Sequence, residues 1–165
     1  MAKFGVGTLV IADFDIIEES NLNRQYYFTD QVGMLKTIAL KENIARINPE
    51  VFVIIHQKIL DSQNIPEIFS GCNVIIEAFD TAAMKQMIIE TVQLKMPLIP
   101  LVAGSGLAGW GKSDAIRYRK IDDTLYICGD ESSEASEVLP PMAPRVGMVA
   151  NMQANVVVEI LMKMK

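Results

Sequence analysis

The chain is poor in the residues on which several kinds of function depend. It has two cysteines, Cys72 and Cys128, far apart in sequence. They supply neither a disulfide framework nor a four-cysteine zinc site, and they fit a reducing cytoplasm. The single histidine, His56, closes the apolar run Val51–His56, where a strand-end structural role is the default over a metal or catalytic one. Basic residues are in deficit, with 15 Lys plus Arg against 20 Asp plus Glu and a formal charge of -5. That balance argues against general nucleic-acid binding. The most apolar stretch, Val146–Met164, carries Asn151, Gln153, Asn155 and Glu159, which a membrane span would not tolerate cheaply. Met1–Gly7 lacks the pattern of a signal peptide.

What remains is 165 residues, half of them apolar and 21% charged, enough for one compact domain over residues 1–165 with a buried core. Thr8–Phe14 is a β-branched run that ends in acids, so it reads as a buried parallel strand with Asp13 and Asp15 at its carboxyl end. A long polar and aromatic connection follows, and Met34–Ile47 carries a helical stripe stopped by Asn48-Pro49. Val51–His56, Asn73–Ala78 and Pro97–Ala103 read as further strands, the third of these four delivering Asp80 just past its end. Asp61 or Ser62 is placed to cap a short helix near Ile65–Phe69, and Thr81 to cap a longer one. The order βαβαβαβ implies an α/β, Rossmann-like and mostly parallel sheet with helices on both faces. Ala115–Lys120 and Thr124–Cys128 read as an antiparallel hairpin near the carboxyl end, and Gly129–Pro144 as a loop. In the last helix Asn151, Asn155, Glu159 and Lys163 recur every four residues as one narrow polar stripe. Gly5 and Gly7 resemble a helix end ahead of the first strand, so an earlier strand–helix unit is expected to be missing.

Two glycine motifs compete for attention. Gly104–Gly109 matches G-x-G-x-x-G, and Gly106–Ser113 matches the G-x-x-x-x-G-K-[ST] of a P-loop. A phosphate cradle needs a helix immediately afterwards. Here Ile116, Tyr118 and Lys120 alternate with Arg117 and Arg119 in strand periodicity, which favours a flexible bend over a P-loop.

The chemistry concentrates elsewhere. Asp13 at the end of a parallel strand is placed for ribose hydroxyls, with Asp15 beside it. Arg24 and Lys36 could converge on phosphates, Arg as a fork and Lys as a point charge. Asp80 could hold a magnesium ion on the same phosphates.

These residues resemble a family. D-F-D-x-x-x-x-S-N-L-x-R-Q over Asp13–Gln25, G-x-x-K over Gly33–Lys36, Ile47-Asn48-Pro49, the strand ending in Asp80 and the tail Met142–Asn155 look like the ThiF/MoeB/HesA adenylyltransferases, relatives of the ubiquitin-activating enzymes. The tail and the absence of paired cysteines most resemble the short ThiF branch that serves the sulfur carrier ThiS in thiamine biosynthesis. The resemblance implies ATP-dependent adenylation of the carboxyl-terminal glycine of a ubiquitin-like carrier, with ATP and Mg2+ but no zinc, in a cytoplasmic homodimer. It implies that Asp13 contacts ribose, that Asn21, Arg24 and Gln25 contact nucleotide and phosphate, that Lys36 stabilises phosphate charge, and that Asp80 is linked to magnesium. The family's glycine-rich nucleotide loop and an amino-terminal arginine donated across the dimer have no match here, and neither does Cys128 among the family's sulfur-transfer or thioester cysteines. Two alternatives stand beside this reading: a degenerate member that docks a ubiquitin-like partner without catalysis, and a P-loop NTPase using Gly106–Ser113.

Overall fold

The computed structural model describes residues 1–164 and divides into two compact units, Met1–Asn64 and Ile65–Lys165. In the first unit, β1 (Thr8–Ala12) and β2 (Phe52–His56) pair in parallel, from Thr8 opposite Phe52 to Ala12 opposite His56. The crossover between them is α1 (Lys36–Ile47). Its Ile44 and Leu40 pack with Val51, Val53, Leu9, Ile11 and Ile55, as the alternation of apolar residues on both strands demands. Each fully buried aliphatic side chain in such a cluster is worth roughly 1.5–3 kcal/mol. α1 starts two residues later than the apolar stripe suggests, because Leu35 is extended and bridges Ile16. It ends at Asn48, whose side chain accepts from Glu50 N at 3.1 Å and donates to Ala2 O at 3.1 Å. Ahead of β1, a single 3-10 turn over Ala2–Phe4 closes at Gly5 in the left-handed region, φ 86°. That is the helix-end geometry the glycine suggested.

The second unit opens with α2 (Asn64–Phe69), whose first residue closes the first unit. Asp61 caps it as expected, its Oδ1 accepting from Gln63 N and Asn64 N at 2.8 Å each.

In the second unit, β3 (Ile75–Ile76), β4 (Leu101–Gly104), β5 (Arg117–Lys120) and β6 (Leu125–Gly129) form a sheet in the order β3-β4-β6-β5. β3, β4 and β6 run parallel, and β5 is antiparallel to β6. The expected run of four parallel strands is therefore divided between a two-stranded and a four-stranded sheet. β4 begins at Leu101 and not at Pro97, because Pro97 and Pro100 have no N–H for a ladder. Pro100 still accepts from Ile75 N through its carbonyl, at 2.8 Å.

Two helices pack on β4: α3 (Ala82–Lys95) and α4 (Ala143–Lys163). All four residues of β4 are buried, so both faces of this strand are covered. Thr81 caps α3 as expected, accepting from Met84 N at 3.4 Å, and Ile88, Thr91 and Val92 form its buried stripe. α4 opens at Ala143, inside the segment expected to be loop, with Pro144 in its first turn. Its buried face carries Arg145, Val149, Gln153, Val156 and Val157, and Asn151, Asn155, Glu159 and Lys163 are exposed. Among the described residues, no helix is long and apolar enough to cross a membrane.

Candidate functional site

The acid-rich end of β1 leads into a segment whose ends are stitched together. Asp13 N donates to His56 O at 3.1 Å, continuing the strand ladder, and Asp13 Oδ1 accepts from Asp15 N at 2.9 Å. Ile17 N bonds Met34 O at 2.8 Å, Gly33 N bonds Ile17 O at 2.8 Å, and Lys36 N bonds Asp15 O at 2.9 Å. Gly33 sits at φ 89°, a conformation that glycine adopts without a Cβ penalty. Residues 15–36 are thus a closed loop, not an open excursion, and its base delivers Lys36 to the first turn of α1.

Within this loop the side chains are committed in different ways. Lys36 Nζ meets Asp15 Oδ2 at 2.8 Å, with Lys36 mostly buried and Asp15 half exposed. Arg24 is half-buried and one terminal nitrogen donates to Ser20 O at 3.0 Å and to Asn23 Oδ1 at 2.8 Å. Asn21 is buried and its Oδ1 accepts from Glu18 N at 3.1 Å, so this oxygen is spent on holding the loop. Gln25 is half-buried beside it, its N–H bonded to Asn21 O at 2.8 Å. Tyr27 donates to Lys36 O at 3.4 Å. Burial, and then the negative charge of Asp13, push its phenol up to about 12.

Sequence reasoning did not find the device that fixes this loop. Gln31 Nε2 donates to Asn43 Oδ1 at 2.9 Å and Asn43 Nδ2 returns a bond to Gln31 Oε1 at 3.0 Å, both residues being buried. Gln31 Oε1 also accepts from Phe28 N at 3.1 Å. A reciprocal amide pair satisfies two polar side chains inside the fold at once. Its members lie in a loop and on α1, with no local pattern to announce them.

In the second unit, Asp80 is exposed in the turn between β3 and α3 and forms no salt bridge among the described residues. Three residues earlier, Glu77 is a fully buried carboxylate that sequence reasoning passed over. Its oxygens accept from Lys85 Nζ at 2.8 and 3.0 Å, from Phe79 N at 2.5 Å and from Gly104 N at 3.2 Å. Lys85 Nζ also donates to Gly104 O at 2.9 Å. The available signal was the two-residue period of Ile75 and Glu77, which puts the acid on the buried side of β3.

Among the described residues, no group of three or more His, Cys, Asp or Glu side chains is arranged to hold a metal ion. A single exposed carboxylate such as Asp80 is compatible with Mg2+, which keeps most of its waters and is bound through one or two carboxylates plus substrate phosphates. It does not fit a metal held by protein alone.

The glycine motifs take no part in a P-loop. Gly106–Ser113 is followed by one 3-10 turn, Ser113–Ala115, and then by β5, so no helix begins where a phosphate would have to sit. The space next to Gly106 is already filled, since a Cβ there would lie 2.1 Å from Asp130 Oδ1. Ser105 O and Gly106 O accept from Glu131 N and Asp130 N at 3.1 and 3.0 Å. Asp130 in turn meets Arg145 at 2.5 Å, both side chains being buried, and Arg145 donates to Gly111 O at 2.8 Å. Burial by itself would raise the Asp130 carboxyl, but the main-chain N–H groups of Ser133 and Ser132 overcome it and bring the group down to about 2. Cys128 is an ordinary buried residue of β6, and burial pushes its thiol up to about 11.

The chain is 35% identical over 167 aligned positions to the adenylyltransferase and sulfurtransferase MOCS3 of Caenorhabditis briggsae, covering 97% of this chain and 41% of that protein. It is 26% identical to the molybdopterin-synthase adenylyltransferase of Salmonella typhimurium, covering 98% of this chain and 66% of that one. The chain thus spans only part of the curated relatives it matches. In fold it is similar to the E. coli tRNA N6-threonylcarbamoyladenosine dehydratase TcdA in complex with AMP, with a TM-score of 0.83, 20% identity, and coverage of 98% of this chain and 79% of that one. E. coli MccB with ATP gives a TM-score of 0.71 at 20% identity, covering 99% and 52%. The model of the ThiF family matches residues 1–165, and the chain belongs to that family.

Proposed function

We propose that this chain acts in the ATP-dependent adenylation of the carboxyl-terminal glycine of a ubiquitin-like sulfur-carrier protein of the ThiS kind. The observation that carries the reading is the closed loop of residues 15–36, which holds Asp15, Asn21, Arg24, Gln25 and Lys36 directly after Asp13 at the end of β1, on one short stretch of the first unit. In the reaction a carboxylate oxygen of the carrier bonds to the α-phosphorus of ATP. The bond from that phosphorus to its bridging oxygen breaks, and pyrophosphate leaves. No general base is required, because the nucleophile arrives ionised.

Displacement at phosphorus depends mainly on positioning and on cations near the equatorial and leaving oxygens. Lys36 supplies a point charge at the start of α1, and Arg24 a planar guanidinium on the loop. Asp13 accepts from ribose hydroxyls, with Asp15 setting the position of Lys36. Asn21 and Gln25 shape the nucleotide-facing part of the loop. Asp80 would hold Mg2+ brought by the nucleotide, whose charge offsets that of the phosphates. Relatives named as adenylyltransferases support the reading, as do solved structures of the same fold that contain AMP or ATP. Service to thiamine biosynthesis, a homodimeric state and a cytoplasmic location belong to the same proposal.

The test is carrier-dependent exchange of pyrophosphate into ATP. Arg24→Ala and Lys36→Ala should each lower exchange by about two to three orders of magnitude, the usual range for a donor that stabilises transition-state charge. Exchange that survives both substitutions refutes the assignment. Carrier binding with no exchange in the unaltered chain would favour a partner-docking module without catalysis.

A further inference from the structure

β3 and β4 begin as a regular parallel ladder, with Ile75 N bonded to Pro100 O at 2.8 Å and Glu77 N to Val102 O at 3.0 Å. The next bond of that ladder would run from Gly104 N to the Glu77 carbonyl. It is not made. Gly104 N donates instead to the Glu77 side chain, Oε2, at 3.2 Å. The Glu77 carbonyl accepts from Gln153 Nε2 at 3.0 Å, and the same nitrogen bonds Val102 O at 3.2 Å. At their carboxyl ends the two strands therefore part, and side chains replace the main-chain partners. In an open α/β sheet, the crevice beyond the carboxyl ends of the strands is where ligands bind.

In the pair that holds this parting Glu77 is buried, Lys85 is 23% exposed, and the polar atoms of both are fully used. Glu77 is 1% exposed, and its two oxygens take four hydrogen bonds from three donor groups. One of these, Phe79 N at 2.5 Å, lies in the turn that carries Asp80. Lys85 bridges both carboxylate oxygens and reaches Gly104 O at 2.9 Å. Thr81 closes the other side of the same turn, through Lys85 N bonded to Thr81 O at 3.1 Å. A buried ion pair is a poor way to gain stability over apolar residues of similar volume. Apolar residues could not satisfy the N–H groups of Phe79 and Gly104, which this pair does.

We propose that Glu77 and Lys85 are positioning residues. Together they fix the Phe79–Thr81 turn relative to the Gly104 end of β4, and so set where Asp80 presents its carboxylate to nucleotide-borne Mg2+. The inference rests on the function proposed above. Neither side chain touches substrate. Their effect passes through the backbone of the turn.

The experiment measures binding of a fluorescent ATP analogue to the whole chain as Mg2+ is titrated, with circular dichroism as the check on folding. Glu77→Gln keeps the shape of the side chain but removes its charge. It should raise the half-saturating Mg2+ concentration by about tenfold or more, the range found when a residue behind a metal ligand is changed. Binding without Mg2+ should be unaltered. Should that variant not fold, Glu77→Asp retains the charge one methylene further back and should shift the Mg2+ response in the same direction. Adding Lys85→Arg, which extends the cation towards the shortened acid, should restore most of it. An unchanged Mg2+ response in the Glu77 variants overturns the proposal, as does an equal loss with and without Mg2+, or no recovery in the Glu77→Asp/Lys85→Arg chain. Asp80→Asn separates the two layers. If it leaves the Mg2+ response as in the unaltered chain, or if the unaltered chain has no such response, the role given to Asp80 fails whatever the Glu77 variants do.

Discussion

Replacing Arg145 by methionine tests how the glycine-rich segment is held. The substitution keeps the length and apolar stem but removes the group that meets Asp130 at 2.5 Å and donates to Gly111 O at 2.8 Å. Removing one partner of a buried ion pair costs about 3–5 kcal/mol, mostly because the other charge is left uncompensated. Asp130 keeps donors in Ser132 N and Ser133 N, at 2.9 and 2.7 Å, so the lower end, about 3 kcal/mol, is expected. For a chain of this size each kcal/mol moves Tm by about 2–4 °C, which gives a fall of about 6–12 °C. Circular dichroism follows the transition, and Trp110, the single tryptophan, reports from the residue beside Gly111. The double variant Asp130→Asn/Arg145→Met should recover part of the loss, since no charge is then stranded.

Acid adds a second reading. The folded Asp130 carboxyl is held at about 2 against an ordinary 3.8. Its contribution is therefore complete above pH 4 or so and is lost as pH falls towards 2. It amounts to at most about 2–3 kcal/mol, less whatever solvent screens at the loop. The gap between the unaltered chain and the Asp130→Asn variant should close over that interval. A loss below about 1 kcal/mol for Arg145→Met, or a double variant as unstable as the sum of the singles, would refute the reasoning.

The amide pair of Gln31 and Asn43 should behave in the same non-additive way. Gln31→Leu or Asn43→Leu alone strands the partner and should cost about 1–3 kcal/mol, whereas the double replacement should cost less than the two singles combined, as measured by urea denaturation. Cys128, fully buried with its thiol raised to about 11, should resist alkylation at neutral pH until the chain unfolds, whereas half-buried Cys72 reacts first. Mass spectrometry of the labelled peptides checks the order, and rapid labelling of Cys128 in the folded chain would contradict its placement.

The elements legible in the sequence were those whose stability is local or periodic. β1, α1, β2, α3, the β5–β6 hairpin and the outward polar stripe of α4 all follow from apolar spacing, and Asp61 and Thr81 were identifiable as caps from residue type and position. The misplaced boundaries have separate causes. Proline without an N–H cut β4 short, and proline suited to a first helical turn began α4 earlier than a run of Ser, Glu and Pro suggested. The candidate nucleotide residues were legible through family resemblance and through the acids at strand ends. The side chains that hold them were not. Gln31 with Asn43, Glu77 with Lys85 and Gly104, and Arg145 with Asp130 each join segments distant in sequence, and none carries a pattern that a linear reading can weigh. Gly106–Ser113 shows the reverse, a clear motif whose chemistry is absent because a strand follows it.

The double pairing of β6 has a consequence for how the second unit is reached from the unfolded chain. β6 lies parallel to β4, with Leu101 opposite Leu125, and antiparallel to β5, with Lys120 opposite Tyr126. The hairpin turn is local, and Asp122 Oδ1 accepts from both Thr124 N and Leu125 N at 2.7 Å, so it can form in microseconds. Once formed, it leaves only the segment from Ser105 to Ile116 to be closed when β6 meets β4. Shortening the loop in this way, from about 20 residues to about 12, lowers its closure cost by about 0.5 kcal/mol. β5, the strand with every residue exposed, thus serves the assembly of the parallel sheet as a local splint for a neighbour that would otherwise have to find β4 alone.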